Sequence, residues 1–348
     1  MLERILRAAV PEVASAAVAL IAVDGRTAAA AAVGEAVRYA DGSGRLLPER
    51  PPVAADALFD IASITKLFTT VVLLALADAG RLALDDPVAA WLPRHYGHRP
   101  EVTIRHLLTH TAGLPPGRRV EHEPEDARWE LVLSTPQAGP VGAHVYSDVG
   151  MITAGRVAEL AGGAPLDVLV RDLVTAPLGL ADTVFRPGPA LRERAVATEY
   201  KPERDTIACV RGEVHDETAY ALGGVAGHAG LFSTAADLLR FGEALRTGGG
   251  GVLSPAAVAE MLRDQGVTGA AYRQGLGIRI GDPAIVGPLR DGAGHSGFTG
   301  TSLVIDPARR LTVVLLTNNV HPLRGRPGIR ELRTAVAAEA LRLAESSV

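Results

Sequence analysis

Strand-like segments lie at the two ends of this 348-residue chain, whereas helical patterns dominate its middle. Apolar strand candidates that flank short Asp-Gly or Asp-Pro turns are 16–23 with 27–33, and 301–305 with 311–317. Helical candidates, several of which end at glycine, are 63–79, 104–111, 148–161, 234–246 and 328–344. We therefore predict an α/β (α+β) fold in which an antiparallel sheet from both chain ends is flanked by helices.

This distribution also predicts how the chain divides. Residues 1–56 and 265–348 would form the α/β sheet domain, and residues 57–264 would form an inserted, mainly helical domain. A chain of this length has room for one or two compact domains. Ligands favour the cleft between two such parts, so we expect the active site there.

Composition narrows the partners that this chain can have. The net charge of −4 lacks the positive field that binding to nucleic acid requires. The single cysteine, Cys209, excludes an intramolecular disulfide and a multi-thiolate metal site, and fits a reducing compartment. Glu3, Pro11 and Glu12 interrupt the first apolar stretch, and the run 67–77 is too short to span a membrane. We predict a soluble cytoplasmic protein without membrane association.

Almost all cationic residues of this chain are arginine. Of the 35 cations, 33 are arginine, and only Lys66 and Lys201 are lysine. An amine can lose its proton in a suitable environment, whereas a guanidinium cannot, so a lysine in this chain is a candidate for proton transfer. Lys201 precedes Pro202 in a charged segment and is predicted to be a solvated loop residue.

Lys66 stands three residues after Ser63 in the segment 60–66. Asp60 is predicted to cap a helix whose first turn contains Ser63, and residues three apart share a helix face. A hydroxyl becomes a nucleophile when a base lies within hydrogen-bond reach, and a desolvated amine can be that base. The alternative, a solvated lysine, is disfavoured because a cation at a helix N-terminus opposes the helix dipole.

Two further segments carry chemically useful side chains. Tyr146 precedes a predicted helix, and Asp148 begins it. At this place a phenol could relay a proton, and a carboxylate could hold an ammonium. By itself this pattern also fits a helix cap beside a packed tyrosine. The glycine-rich segment 294–300 contains His295 and precedes a strand, so its N–H groups could face an oxyanion. Its alternative interpretation is a turn with a surface histidine.

Together these motifs resemble a known superfamily. Ser63-x-x-Lys66, Tyr146-x-Asp148 and His295-x-Gly297 occur in the order and spacing of the serine β-lactamases and penicillin-binding proteins. The chain most resembles the class C β-lactamase-like branch, which also contains esterases, D-amino-acid peptidases and transacylases. Similar segments extend over nearly the whole chain: 16–25, 59–70, 103–115, 214–219, 222–238 and 317–322. The resemblance implies a β-lactamase/transpeptidase-like fold and no cofactor.

The resemblance implies catalysis through an acyl-enzyme. Ser63 would be acylated, Lys66 and Tyr146 would share the transfer of its proton, and Asp148 would orient Lys66. The backbone N–H groups of Ser63 and Phe298 would form the oxyanion hole.

The resemblance also implies auxiliary roles. His295 would donate a hydrogen bond toward Tyr146 or the substrate. Gly297, Thr299 and His228 are tentative substrate contacts.

Two departures from the lactamase pattern shape the expected activity. Asp148 stands where lactamases usually have Asn, and His295 stands where they usually have Lys. A mostly neutral imidazole attracts a substrate carboxylate less than a permanent cation does. We therefore expect an esterase-type hydrolase of small ester or amide substrates, with water or a small alcohol or amine as acyl acceptor.

Other functions stay open at this point. Within the class, the alternatives are a natural-product transacylase or peptide cyclase, and a D-alanyl peptidase or weak β-lactamase. Outside it, the chain could be a non-catalytic ligand-sensing scaffold or a metal-dependent hydrolase. The sequence does not predict an oligomeric state.

The remaining histidines receive structural interpretations. His106 and His110 lie four residues apart but lack the Glu of His-Glu-x-x-His, so a packed structural helix is predicted and no metal site. His95 and His98 are assigned no role. For the set His215, Asp216 and His228, a hydrogen-bonded structural role is favoured over contact with substrate.

Overall fold

The computed structural model describes residues 1–204 and 209–346. Its strands are β1 (Ala16–Val23), β2 (Arg26–Gly34), β3 (Phe59–Asp60), β4 (Val184–Phe185), β5 (Ala197–Tyr200), β6 (Cys209–Arg211), β7 (Leu231–Ser233), β8 (Arg273–Gln274), β9 (Arg279–Ile280), β10 (Ala293–Ser296), β11 (Ser302–Asp306) and β12 (Leu311–Thr317). Its α-helices are α1 (Leu2–Ala9), α2 (Thr65–Asp78), α3 (Pro93–Tyr96), α4 (Ile104–Leu108), α5 (Glu125–Leu133), α6 (Asp148–Gly162), α7 (Leu166–Val170), α8 (Pro189–Glu193), α9 (Glu217–Ala221), α10 (Ala235–Arg246), α11 (Pro255–Leu262), α12 (Pro283–Val286) and α13 (Ile329–Glu345).

The largest sheet joins the two ends of the chain. Its seven strands run in the order β2-β1-β12-β11-β10-β9-β8, and every neighbouring pair is antiparallel. Leu20 of β1 faces Ala30 of β2 on one side and Val314 of β12 on the other. The predicted antiparallel sheet built from both ends of the sequence is confirmed.

Helices cover both faces of this sheet. Helices α1, α12 and α13 pack on one face, where Leu6, Ile21 and Val336 belong to one apolar cluster. Helix α10 packs on the other face against β1, β11 and β12. Because both faces are covered, β12 is buried along its whole length, as its continuous apolar sequence requires.

Helix α2 forms the centre of the helical region. Eleven of its fourteen residues are buried, because α2 packs against α6, and Phe68 stacks on Phe241 of α10 at 4.0 Å between ring centroids. Ser147 caps α6 by accepting a hydrogen bond from the Gly150 N–H, and Gly163 ends this helix with φ of 73°. The division of the chain into 1–56 with 265–348 and 57–264 stays a prediction.

The small sheet β3-β7-β4 connects the segment before Ser63 to the chain around residue 230. Asp60 pairs with Phe232 in this sheet. Helix α4 ends earlier than the predicted helix 104–111, and His110 follows it with φ of 58°. Among the described residues, no helix is long and apolar enough to cross a membrane.

The prediction that Lys201 is solvated is wrong. Lys201 follows β5 and is only 2% exposed. Its amine pairs with Glu217 and lies 3.6 Å from a carboxylate oxygen of Glu199. Arg324 also contacts both carboxylates. Because Arg324 and Glu217 come from distant parts of the chain, the local Lys-Pro sequence did not reveal this network.

Candidate active site

Ser63 lies at a strained junction between β3 and α2. Residues Ala62–Ile64 form a 3₁₀ turn, and the α-helix begins only at Thr65. The Asp60 carboxylate accepts the N–H of Ala62 at 2.8 Å, so it caps the turn that carries Ser63 and not the α-helix as predicted. Ala62 has φ of 45°, a conformation that residues with a Cβ atom seldom adopt. The surrounding contacts therefore hold Ser63 in a defined position.

Lys66 is an ionisable group in direct contact with the Ser63 hydroxyl. Its Nζ atom lies 2.7 Å from Ser63 Oγ, and the lysine is fully buried. This distance allows direct proton transfer between the two atoms.

Two other groups hold the Lys66 amine. Asp148 Oδ1 lies 2.8 Å from Nζ, and the backbone carbonyl of His228 accepts a hydrogen bond from Nζ at 3.1 Å. Burial by itself would lower the pKa of Lys66, but its interactions with Asp148 and Tyr146 outweigh burial and raise the pKa. The resting amine is therefore an ammonium, with Asp148 as its counter-charge.

Tyr146 is surrounded by cations and imidazoles. Lys66 Nζ lies 5.0 Å from the centroid of its ring, and the guanidinium carbon of Arg279 lies 4.6 Å from the same centroid. The His110 ring packs against it at 4.6 Å between centroids. Arg279 also stacks on Tyr272 at 4.8 Å. The sequence did not single out Arg279, since it is one of 33 arginines and lies on a strand of two residues.

His295 lies on β10 beside Tyr146, with 6.1 Å between their ring centroids. Burial, Arg279 and Lys66 together hold the pKa of His295 well below its usual value, so the imidazole is neutral. Its Nδ1 atom lies 2.9 Å from the Ser296 carbonyl oxygen and must therefore carry the proton. Nε2 is buried, has no partner among the described residues and can only accept a hydrogen bond. This geometry differs from the donor role that the resemblance implied.

The loop that carries Phe298 is fastened to the turn that carries Ser63. The Thr299 hydroxyl donates to the Asp60 carbonyl at 2.7 Å, and the Thr301 hydroxyl donates to the Ile61 carbonyl at 3.3 Å. A Cβ atom at Gly297 would lie 2.5 Å from the Ile61 carbonyl oxygen, so only glycine permits this approach. Thr299 is buried with its hydroxyl committed to Asp60, and we do not assign it a substrate contact.

A second layer of polar groups lies behind Lys66. His228 Nε2 is 2.9 Å from Asp216 Oδ1, and Asp216 also accepts the N–H of Ala219. Burial would raise the pKa of Asp216, but His228, the Ala219 N–H and Lys66 outweigh it and keep the carboxyl ionised. His228 is 1% exposed, so its side chain supports the site from behind.

Asp148, Asp216 and His228 place one possible ligand atom each within 4.8 Å of one another. The cation beside this group is the ammonium of Lys66, which pairs with Asp148. We therefore treat the three residues as the surroundings of an ammonium and assign them no metal.

Three other histidines make hydrogen bonds within the fold. His106 Nδ1 accepts the N–H of Thr103 at 3.1 Å at the start of α4. His95 Nε2 lies 3.0 Å from a carboxylate oxygen of Glu130. His110 accepts a hydrogen bond from the Ser147 N–H at 3.2 Å, and its ring packs against Tyr146. It therefore holds the turn before α6 next to the Tyr146 ring. Its packing against Tyr146 depends on a tertiary contact that the sequence pattern did not show.

The chain is similar to known proteins over nearly its whole length. The family model described as Beta-lactamase matches residues 3–338. An Escherichia coli (strain K12) protein named "Putative D-alanyl-D-alanine carboxypeptidase" is 33% identical over 345 aligned positions, covering 87% of this chain and 78% of that protein. A Bacillus subtilis (strain 168) protein named N-acetylmuramyl-L-alanine amidase is 31% identical over 360 positions, covering 92% and 80%.

Solved structures give the same fold. EstCE1, described as a hydrolase with promiscuous acyltransferase activity, is 25% identical with a TM-score of 0.74, and the match covers 96% of this chain and 97% of that one. Unliganded simvastatin synthase LovD from Aspergillus terreus has a TM-score of 0.76 at 20% identity, covering 99% and 98%, and supports the fold alone. The chain therefore belongs to the β-lactamase family of serine hydrolases.

Proposed function

We propose that this protein is an esterase-type serine hydrolase and acyltransferase that acts on small esters or amides through an acyl-enzyme at Ser63. One observation carries the proposal. The fully buried Lys66 amine lies 2.7 Å from the Ser63 hydroxyl and 2.8 Å from the Asp148 carboxylate. A nucleophile, a base and a group that orients the base are thus in direct contact.

Acylation follows from this contact. The neutral form of Lys66 takes the proton of Ser63 while Oγ attacks the carbonyl carbon of the substrate. The N–H groups of Ser63 and Phe298 stabilise the negative oxygen of the tetrahedral intermediate. When that intermediate collapses, the leaving group takes a proton relayed through Lys66 and Tyr146. The acyl group remains on Ser63 as an ester.

Deacylation reverses these steps with a new nucleophile. Water, or a small alcohol or amine, gives its proton to the same base and attacks the acyl-enzyme. Water as acceptor completes hydrolysis, and an alcohol or amine completes acyl transfer. Turnover of a p-nitrophenyl ester in the presence of added alcohols separates the two, because only transfer yields a new ester product.

The pKa of Lys66 sets the pH dependence of this chemistry. Because its neighbours raise that pKa, the reactive neutral amine is a small fraction at neutral pH. We therefore expect the rate of acylation to increase toward alkaline pH.

The neutral His295 supports esters as the principal substrates, because it offers no permanent charge to a substrate carboxylate. The identity with relatives named as a D-alanyl-D-alanine carboxypeptidase and an amidase favours a second candidate, a D-alanyl peptidase.

Intact-mass spectrometry tests both candidates. The protein is mixed with short-chain esters, D-alanyl peptides and β-lactams, and the mass of the acyl adduct is measured. Adducts with esters at the highest rate support the main proposal, and faster adducts with D-alanyl peptides support the second. Ser63→Ala is the control and should form none. A folded wild-type protein that forms no adduct with any probe would instead indicate a non-catalytic scaffold.

A further inference from the structure

Phe298 is an exposed aromatic residue beside the reaction centre. It is 59% exposed, although most large apolar side chains in the described chain are buried. The backbone N–H of Phe298 belongs to the proposed oxyanion hole. The ring of the same residue therefore lies close to the place where the carbonyl of the substrate would react. An aromatic side chain exposed at such a place has apolar surface available for a ligand.

Two side chains support this ring. The His215 imidazole stacks on it with 5.7 Å between centroids and an interplanar angle of 27°. The guanidinium carbon of Arg324 lies 5.4 Å from the centroid of the Phe298 ring. The ring is therefore held in place although more than half of the residue stays exposed.

A buried ionic network anchors the two supports. Glu199 lies 2.8 Å from His215 Nε2 and accepts a hydrogen bond from Arg324 Nε at 2.8 Å. Glu217 and Lys201 extend the network, with Lys201 2% exposed. Two cations, Lys201 and Arg324, thus lie beside two carboxylates, Glu199 and Glu217. Because these charges neutralise one another, the network offers little attraction to a charged substrate group.

The support is also tied to the nucleophile. The backbone N–H of His215 donates to Asp60 Oδ2 at 2.6 Å, and the other oxygen of Asp60 accepts the N–H of Ala62, next to Ser63. The Phe298 ring and the Ser63 hydroxyl are therefore positioned by one set of hydrogen bonds. A rigid apolar surface held in register with a nucleophile is what a substrate subsite requires.

We propose that the Phe298 side chain, supported by His215 and Arg324, is a subsite for an uncharged apolar group of the substrate. This inference rests on the proposed acyl-enzyme function and adds the class of substrate: esters or amides that carry an alkyl or aryl substituent. That substituent belongs either to the acyl chain or to the leaving group.

Two series of substrates show whether the apolar group that binds Phe298 belongs to the acyl chain or to the leaving group. One series lengthens the acyl chain of p-nitrophenyl esters from acetate to hexanoate, and the other varies the alcohol of acetate esters from ethyl to benzyl. For wild type, kcat/KM should increase along one series. In Phe298→Ala, we expect a loss of about 2- to 10-fold for the largest member of that series and little loss for the smallest. Phe298→Leu should recover part of the loss.

The matched control is Tyr220→Ala, which removes another exposed aromatic ring that contacts an arginine, Arg204, at 4.1 Å. Tyr220→Ala should leave both series as in wild type. An equal loss for all members of both series in Phe298→Ala, or no loss at all, would overturn the subsite. If wild type acylates with no ester, the proposed function itself fails, and this outcome is separate from a flat series.

Discussion

The two lysines of this chain are both buried beside carboxylates, but among the described residues a serine hydroxyl contacts the amine of Lys66 and not that of Lys201. Lys66 and Lys201 are both buried, and each pairs with a carboxylate. Lys66 also contacts the Ser63 hydroxyl at 2.7 Å, whereas Lys201 lies between the carboxylates of a network shared with Arg324. A buried lysine with an acidic partner is therefore not by itself a sign of catalysis. The Ser63 hydroxyl, in contact with the Lys66 amine, is what marks Lys66 as a candidate catalytic residue.

The two sites also differ in how their charges balance. The Lys201 network pairs two permanent or near-permanent cations with Glu199 and Glu217, so moving one proton leaves an unpaired buried charge. At Lys66, a hydroxyl and a phenol adjoin the ion pair with Asp148 and can exchange protons with the amine. Five predictions test this comparison.

The largest effect is expected from Lys66→Arg. A guanidinium cannot accept the Ser63 proton, so the rate of acylation should fall by about 10²- to 10⁴-fold. The rate is measured by intact mass after mixing with a p-nitrophenyl ester. Lys201→Arg is the matched variant, and it should still form the acyl-enzyme. Wild-type turnover in Lys66→Arg would contradict the proposed mechanism.

Lys201→Met should act mainly on stability. Removing one cation from the buried network leaves two carboxylates with fewer partners, and we expect the free energy of unfolding to fall by about 1–3 kcal/mol. Urea unfolding followed by circular dichroism measures the change. A solvated lysine would give no loss, so an unchanged midpoint would mean that the network contributes nothing to folding.

Asp148→Asn should shift the pH dependence of catalysis. Asp148 raises the pKa of Lys66, so removing its charge lowers that pKa and increases the fraction of neutral amine. The acidic limb of kcat/KM should move to lower pH by about one to three units. A shift to higher pH would show that Lys66 is not the group whose deprotonation limits the rate.

Asp216→Asn provides a graded comparison with Asp148→Asn. Asp216 also interacts with Lys66 but does not contact its amine, so the shift should have the same direction and be smaller. Asparagine keeps the oxygen that caps α9, which limits the structural change.

The smallest effect concerns stability in acid. Burial raises the pKa of Glu217, but Lys201 and Arg324 outweigh it and lower the pKa to about 2. A carboxyl with a lowered folded-state pKa stabilises the fold above its ordinary pKa, and this contribution disappears as the pH falls from about 4.5 to about 2. Thermal melts of Glu217→Gln should therefore depend less on pH than wild type in that window. Parallel curves would argue against the ion pair.

Local patterns predicted the features that depend on neighbouring residues. Strand and turn signals predicted the sheet from both chain ends, and the three-residue spacing predicted that Ser63 and Lys66 lie on the same face of a helix. The burial of Lys201 was not predictable, because Glu217, its partner, and Arg324, which pairs with Glu217, lie outside the local segment around Pro202. The contact of Arg279 with Tyr146 was missed for the same reason, since a strand brings together residues separated by more than a hundred positions.

The pairing of β1 with β12 has a consequence for biosynthesis. Ala17 lies opposite Thr317, so two neighbouring strands of the sheet are separated by about three hundred residues of chain. Such a distant pairing closes a long loop and is slow compared with local helix formation. The residues between β1 and β12 have to be synthesised before β12 can join β1, and Phe298 also emerges from the ribosome long after Ser63. A nascent chain that already displays Ser63 and Lys66 therefore lacks half of the proposed oxyanion hole, and acyl transfer has to wait until Phe298 has been synthesised and its loop has folded.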